Sequence, residues 1–232
     1  MKKLLLSAFV ICLAGTSIAQ ESPLWMRHCA LSPDGTTIAF TYKGDIYTVP
    51  STGGRATQIT TNPAFDTEPV WSPDSKQIAF ASDRMGSLDV FVVSSEGGTP
   101  QRLTTHSGSE KPVAYKDSKH ILFTANIAPS AEDAGFPSGQ FQQVYEVPVT
   151  GGRPTMFSSM PMECISINKE GVMLYQDKKG YEDYWRKHQV SPIARDIWKY
   201  TPEKPLFIKN KQPSEVKTVN RYGVLMVNHS II

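Results

Sequence analysis

Cysteine is scarce in this chain of 232 residues, and neither sign of charge clearly prevails. The chain has three cysteines and a formal net charge of +2. Cys29 and Cys164 are too far apart to form the disulfide framework of a small secreted domain, and we expect two buried free thiols. No Cys/His spacing typical of a metal site is present, so no metal or other cofactor is expected. The balanced charge argues against nucleic acid as a partner.

Long apolar runs are also missing, apart from a short one at the amino terminus. Met1-Lys-Lys is followed by an apolar stretch from Leu4 to Ala14 and by small residues ending at Ala19. This is the pattern of a secretory signal peptide, and the stretch is far shorter than the roughly 20 residues that span a bilayer. We therefore predict residues 1–19 to be a signal peptide cleaved after Ala19, and a periplasmic or secreted chain without a membrane span.

The sequence motifs of common hydrolases are absent as well. No Gly-x-Ser-x-Gly nucleophile elbow occurs, and the five histidines show no metal-ligand spacing. The pair Gly53-Gly54 lacks the strand-to-helix context of a phosphate-binding loop and is interpreted as a turn. Motifs therefore assign no catalytic residue to this chain.

What the sequence does contain is a repeat. The stretch Leu31-Ser-Pro-Asp-Gly-Thr-Thr-Ile-Ala-Phe40 returns 40 residues later as Trp71-Ser-Pro-Asp-Ser-Lys-Gln-Ile-Ala-Phe80. Proline fixes φ in a tight turn, aspartate accepts hydrogen bonds from backbone amides ahead of it, and glycine tolerates positive φ. A strand-turn-strand unit with this period is typical of a β-propeller blade.

The repeats predict an all-β fold with about four blades, each a sheet of four antiparallel strands. The partial propeller covers residues 20–208, with blades at about 25–61, 62–105, 106–157 and 158–208. Blades three and four each carry an insertion between the second and third strands, at about 125–141 and 177–195. Both insertions should project from one face of the propeller, where they either bind a ligand or pack on the rest of the protein.

After Lys209 the repeat pattern stops, and residues 209–232 form an off-pattern tail. We interpret the chain as a fragment of a longer propeller protein, arising from a gene fragment, a frameshift or an incomplete sequence. An open arc of blades leaves an apolar edge without a partner, which favours aggregation. We therefore expect the chain alone to be poorly soluble or partly molten.

Aspartates recur at the predicted turns, and their repetition at turns favours a structural capping role over cation binding. These residues are Asp34, Asp45, Asp74, Asp89 and Asp196. The adjacent residues Asp83 and Arg84 are predicted to form a local ion pair.

Aromatic and basic side chains cluster in the insertion of blade four, within Lys178–His188. Tryptophan and arginine are common anchors for a peptide or a partner domain, so this cluster is the candidate binding site. Its members are Tyr181, Tyr184, Trp185, Arg186 and His188. The alternative is that the loop only covers the rim of the propeller.

Two resemblances follow from these motifs. The pattern from Ala30 to Thr104 resembles the TolB-type, WD-like propeller repeat, which many propellers share. The stretches Gln176–His188 and Arg195–Trp198, together with Val144–Pro154, look like the amino-terminal propeller of bacterial tricorn protease homologues. This second resemblance covers about Pro23 to Phe207.

The tricorn resemblance implies a parent enzyme with a six-bladed amino-terminal propeller, a second propeller, a PDZ module and a carboxy-terminal serine peptidase domain of the tail-specific type. The family's catalytic residues would lie beyond position 232, so none is carried over. The implied role of this chain is to gate or bind peptide substrates, with the rest of the parent enzyme as its other partner. Two alternatives remain open: a TolB-type periplasmic scaffold without enzyme activity, and the propeller of a prolyl-oligopeptidase-like enzyme.

Overall fold

The computed structural model describes residues 25–127, 142–158, 162–168, 170–177, 197–201 and 204–209. Every regular element in these ranges is a β-strand. The strands form four separate antiparallel sheets of four strands each. This confirms the predicted all-β fold built from four propeller blades.

Each sheet takes four strands that are consecutive in the chain and pair in sequence order, so every blade is a simple meander. Blade one comprises β1 (Arg27–Leu31), β2 (Thr37–Tyr42), β3 (Asp45–Pro50) and β4 (Thr57–Gln58). Blade two comprises β5 (Asp66–Trp71), β6 (Gln77–Ser82), β7 (Asp89–Ser94) and β8 (Gln101–Arg102). Blade three comprises β9 (Lys111–Tyr115), β10 (His120–Ala125), β11 (Gln143–Pro148) and β12 (Thr155–Ser158). Blade four comprises β13 (Met162–Ile167), β14 (Met173–Asp177), β15 (Ile197–Thr201) and β16 (Lys204–Lys209).

The Ser-Pro-Asp turns close the first hairpin of blades one and two through the same hydrogen bonds. Ser32 Oγ donates to Asp34 Oδ1, and it accepts from the backbone N–H of Thr37 at 2.9 Å. Gly35 follows with φ +74°, a value that glycine adopts without steric cost. The hydrogen bonds from Ser32 and Thr36 lower the pKa of the Asp34 carboxyl.

The same turn is built differently in the two later blades, where the proline is missing. Asp117 Oδ1 accepts from the backbone N–H groups of Lys119 and His120, at 2.7 and 2.8 Å. In blade four an amide replaces the carboxylate, because Asn168 Oδ1 accepts from the N–H of Val172 at 2.8 Å. These two turns are also one residue shorter, because a backbone hydrogen bond closes them from Lys116 to His120 and from Asn168 to Val172. In blade one the equivalent hydrogen bond runs from Ser32 to Thr37.

Neighbouring blades pack face to face through three apolar seams. We call the face that packs on the preceding blade the leading face, and the face that packs on the following blade the trailing face. The seam between blades one and two joins the trailing-face residues Ala39, Ile46 and Ile59 to the leading-face residues Trp71, Ile78, Phe80, Phe91 and Val93. The next two seams repeat this arrangement between blades two and three and between blades three and four.

The first strand of each blade is its innermost strand, and these strands contact one another in the order β1, β5, β9 and β13. Cys29 lies on β1 and Cys164 on β13. Both are exposed, so the expectation of buried thiols was wrong. Burial in these blades occurs mainly in the apolar seams, and neither cysteine belongs to a seam. Both side chains therefore stay exposed.

The outermost strands of blades one and two are short, since β4 and β8 contain only two residues each. Thr60 and Thr104, which follow these strands, turn inward and are buried at 2% and 1% exposure. Their hydroxyl groups accept hydrogen bonds from the N–H groups of Ile46 and Val90, on the third strand of the same blade.

Candidate functional site

The connections between blades and the turns between second and third strands lie at the same end of the blades, and we call this end the insertion face. Backbone hydrogen bonds join the two kinds of loop. The N–H of Asp66, which begins blade two, donates to the carbonyl of Gly44 in the turn after β2 at 2.7 Å. One blade later the N–H of Glu110 donates to the carbonyl of Leu88 at 2.6 Å. The insertion of blade three leaves β10 at this same end of the sheet.

The candidate binding residues predicted from the sequence belong to the insertion of blade four, outside the described residues. This holds for Tyr181, Tyr184, Trp185, Arg186 and His188, and also for the predicted turn residue Asp196. The described part of the insertion face comes from blades one to three, and it carries the geometry that follows.

A buried ion pair lies where blade one meets blade two on the insertion face. Arg84 Nη2 is 3.0 Å from both carboxylate oxygens of Asp66, whose side chain is fully buried. The guanidinium also donates from Nε to Ser82 Oγ at 2.8 Å and lies 4.5 Å from the ring centroid of Phe91. The Phe91 ring and the Ser82 hydroxyl hold the guanidinium in place. Because the ion pair is buried, it fixes the start of β5 to the turn after β6 within blade two.

The predicted pair between Asp83 and Arg84 was therefore wrong. Asp83 Oδ1 instead accepts from the backbone N–H of Phe65 at 2.7 Å and fastens the connection between the two blades. Arg84 turns toward the fully buried carboxylate of Asp66, because that charge would otherwise lie in the interior without compensation.

The equivalent position one blade later carries different chemistry. Glu110 occupies in blade three the place of Asp66 in blade two, and it too is fully buried. Arg84 has no counterpart here, since Ile127 stands at its position. Arg102 Nη2 lies 2.9 Å from Asp89 Oδ2, and its charge also opposes the rise in the pKa of Glu110. Burial raises the pKa of both carboxyls, and the charge on Asp89 raises that of Glu110 further.

Asp45 begins β3 as Asp89 begins β7, but it lies in a more exposed setting. Its Oδ1 accepts from Thr60 Oγ1 at 3.2 Å and its Oδ2 accepts from Gln58 Nε2 at 3.0 Å. Burial raises the pKa of the Asp45 carboxyl, and the hydrogen bond from Thr60 opposes that shift. In blades one and two these aspartates connect the third strand to residues in the outermost strand or directly after it.

Large apolar side chains are exposed on the insertion face. Trp25 and Met26 precede β1, Phe65 lies in the connection between blades one and two, and Met85 lies in the turn between β6 and β7. Their exposed fractions are 75%, 46%, 46% and 60%. Sequence reasoning missed all four, because their exposure depends on which face their loops occupy. Apolar side chains gathered at one end of a propeller can bind the side chains of a peptide.

The innermost strands carry a second set of polar groups. His28, Glu68 and Cys164 occupy β-bulges on β1, β5 and β13, with φ values of +51°, +55° and +52°. Lys111 Nζ on β9 lies 2.8 Å from Glu68 Oε1, which joins the innermost strands of blades two and three. Burial lowers the pKa of His28. These side chains give the inner edge of the blades a polar character.

The described residues show no group of three or more His, Cys, Asp or Glu side chains placed to hold a metal ion. They also contain no helix long and apolar enough to cross a membrane. The arrangement found on the insertion face is suited to binding through apolar and charged side chains.

Comparison with known proteins identifies a family. Residues 23–219 match the model of the tricorn protease N-terminal β-propeller domain. Over 168 residues, or 72% of this chain, the sequence is 39% identical to tricorn protease homolog 1 of Streptomyces coelicolor, of which it covers 15%. A peptidase of Bacillus subtilis is 32% identical over 108 residues, which is 41% of this chain and 16% of that protein. The chain thus spans about a sixth of the length of these curated relatives.

Solved structures share the fold. The crystal structure of the tricorn protease matches with a TM-score of 0.58 and 16% identity, over 79% of this chain and 18% of that one. The structure of a TolB protein from Agrobacterium tumefaciens matches with a TM-score of 0.57 and 21% identity, over 78% of this chain and 64% of that one. At these identities the structural likeness shows the propeller fold alone.

Proposed function

The chain belongs to the tricorn protease N-terminal β-propeller family, and from this premise we propose that it binds peptide or protein substrates and steers them to a peptidase domain elsewhere in its parent protein. The observation that carries the proposal is the set of exposed apolar side chains on the insertion face, Trp25, Met26, Phe65 and Met85. In this proposal the chain itself does not cleave peptides.

Peptide binding by this face is consistent with its chemistry. Phe65 and Met85 offer apolar contact, and thioethers adapt to side chains of different shape. Neither side chain is needed for a seam, so binding at this face would leave the blades intact. Such a surface favours unfolded or short peptides over one particular sequence.

The test is peptide binding by the purified chain, measured by fluorescence anisotropy with a labelled tryptic digest of casein. Replacing Phe65 and Met85 together by Ser should weaken binding about tenfold, equivalent to ~1.4 kcal/mol. Met156→Ser is the matched control, because Met156 is 47% exposed but lies on the outermost strand of blade three. Equal weakening by the control would reject the insertion face as the binding surface, and cleavage of the digest by this chain would reject the assignment of catalysis elsewhere.

The cluster Tyr181, Tyr184, Trp185, Arg186 and His188 is proposed to extend the same binding surface, since the insertion that carries it follows a second strand, as the turn with Met85 does. Replacing Trp185 and Arg186 by Ala should lower peptide affinity without changing the melting temperature. A loop that only covers the rim would leave affinity unchanged in this double variant.

We also propose that the chain is exported, with residues 1–19 removed and a propeller portion that extends to about residue 208. A mature protein in the periplasm or medium whose first residue is Gln20 would support this boundary. A chain that keeps Met1 in the cytoplasm would contradict it.

A second candidate function is the propeller of a prolyl-oligopeptidase-like enzyme, because the match to a peptidase of Bacillus subtilis does not say which type of peptidase domain accompanies the propeller. Reading the DNA beyond the Ile232 codon in all three frames separates the two. A tail-specific serine peptidase domain would support the first candidate, and a Gly-x-Ser-x-Gly elbow in an α/β-hydrolase domain would support the second.

A further inference from the structure

We propose that a cleft between blades one and two, at the end of the blades opposite the insertion face, binds a short peptide that has a free amino group and a free carboxyl group. The turns after the first and third strands of each blade lie at this end, which we call the hairpin face. Both kinds of turn meet in blade one, where the N–H of Ser51 donates to the carbonyl of Thr36 at 2.8 Å. The cleft is separate from the exposed apolar side chains of the insertion face, so the two binding proposals can be tested independently.

The cleft has a volume of about 350 Å³, within the usual range of about 300–1,000 Å³ for pockets that bind small molecules. One wall comes from blade one and the other from blade two, and two hydrogen bonds hold the walls together. Trp71 Nε1 donates to the carbonyl of Ala30 at 3.0 Å, and the N–H of Asp34 donates to Ser75 Oγ at 3.3 Å. The walls are therefore fixed before a ligand arrives, which lowers the cost of binding.

The cleft exists because its side chains are short at positions that are filled in the next seam. Its lining includes Thr48, Thr57 and Ser95. The same repeat positions in the seam between blades two and three hold, in this order, Val92, Gln101 and Val149. Gln101 Nε2 crosses that seam and donates to the carbonyl of Thr150 at 3.0 Å, and Val149 packs against its apolar core. Space that side chains fill between blades two and three is therefore open between blades one and two.

One hydroxyl group of the cleft is buried without a hydrogen-bond partner among the described residues. Thr48 lines the cleft and is 8% exposed, yet its Oγ1 makes no hydrogen bond within the described part of the chain. Leaving a buried hydroxyl unpaired costs free energy, and an amide group of a bound peptide can pair with it. The apolar Val92 at the same position of the next seam has no such requirement.

The cleft also carries charges of both signs. Arg55, in the turn after β3, lines it from blade one, and Glu96, in the turn after β7, lines it from blade two. Neither side chain forms an ion pair within the described ranges. Asp34 adds a second carboxylate, whose Oδ1 accepts from Ser32 and Thr36 while its Oδ2 makes no hydrogen bond to a described residue. The guanidinium can therefore bind a carboxylate, and the two acidic side chains can bind an ammonium group.

These groups favour a zwitterionic peptide over a neutral sugar. The aromatic side chain of the cleft, Trp71, is only 7% exposed and its Nε1 is already bonded to Ala30, so it offers no open ring face on which a sugar could stack. Arg55 and Glu96 belong to different walls, and their charges match the separated carboxylate and ammonium groups of a short peptide. The Thr48 hydroxyl between the walls matches the peptide amide.

The test is isothermal titration calorimetry of the full 232-residue chain with L-alanyl-L-alanine. We expect saturable binding at one site, and binding weaker by about tenfold or more for the N-acetylated and amidated dipeptide, which lacks both charges. Arg55→Gln should weaken binding of the free dipeptide by a similar factor. Arg153→Gln is the matched control and should bind like the wild type, because Arg153 follows the same Gly-Gly turn in blade three and is also exposed but does not line the cleft.

A second variant closes the cleft with side chains that the repeat already uses. Thr48→Val combined with Thr57→Gln copies the seam between blades two and three, so this variant should keep its melting temperature and lose detectable affinity for the dipeptide. A wild-type chain that does not bind the dipeptide would overturn the proposal. So would undiminished binding by the closed variant or by Arg55→Gln, or an equal loss in the Arg153→Gln control. Equally tight binding of the capped dipeptide or of maltose would overturn the assignment of a zwitterionic ligand.

Discussion

At the scale of single residues, equivalent positions in blades two and three both hold a buried carboxyl group, but the charges around the two groups differ. Asp66 begins the innermost strand of blade two, Glu110 directly precedes that of blade three, and both are fully buried. Asp66 pairs with Arg84, whereas the nearest arginine of the Glu110 site, Arg102, pairs with Asp89. Two carboxylates and one guanidinium carry a net negative charge that one proton neutralises, so we expect stability to depend on pH through Glu110.

Glu110→Gln should remove part of the pH dependence of stability. Burial raises the pKa of Glu110 above its ordinary value of 4.5, so above that pH the native state holds a proton that the unfolded chain releases. The contribution of Glu110 to the free energy of unfolding is therefore fully present below pH 4.5 and is lost as the pH rises through the raised pKa. Urea unfolding at a series of pH values should show this loss in the wild type and a flatter profile in Glu110→Gln. Parallel profiles for the two proteins would contradict the assignment.

At the scale of elements, the bulge on the innermost strand stores strain that a substitution can release. His28 adopts φ +51° on β1, in the left-handed region that costs a residue with a side chain roughly 1 kcal/mol or more. His28→Gly should raise the free energy of unfolding by up to about 1 kcal/mol, and His28→Val should lower it, because a β-branched residue is least tolerated there. Urea titration measures the change in unfolding free energy of both variants. A glycine variant less stable than the wild type would show that the contacts of the His28 side chain contribute more to stability than the strained backbone costs.

The elements also show which features a sequence can reveal. The hairpins at Ser32 and Ser72 were predictable, because proline, aspartate and the following residues fix the turn locally. The partner of Arg84 was not, because Asp66 is 18 residues away and reaches it only after blades one and two have packed. The exposure of Phe65 and Met85 was missed for a related reason: it depends on which end of the sheet their loops occupy.

At the scale of the whole molecule, stability depends on the seams, and the repeat offers an internal comparison. Ile78 is completely buried between blades one and two, and Ile38, its counterpart on the leading face of blade one, is half-buried. Ile78→Ala should cost about 2–5 kcal/mol in unfolding free energy, as truncations in a packed core do. Ile38→Ala should cost less, because a half-buried side chain loses fewer contacts on truncation.

Urea unfolding of the two variants beside the wild type checks this comparison. Equal costs for the two substitutions would mean that Ile38 is packed as completely as Ile78.

The two-residue outermost strands of blades one and two have a further effect on how this chain can meet other chains. A strand of two residues presents very few unpaired N–H and C=O groups, so it offers little template for another strand to add alongside it. Lateral recruitment of a foreign strand, the first step of amyloid-like growth, is therefore disfavoured along the perimeter of these two blades. Contacts along this perimeter therefore have to be made by side chains, where shape and charge decide which surfaces fit.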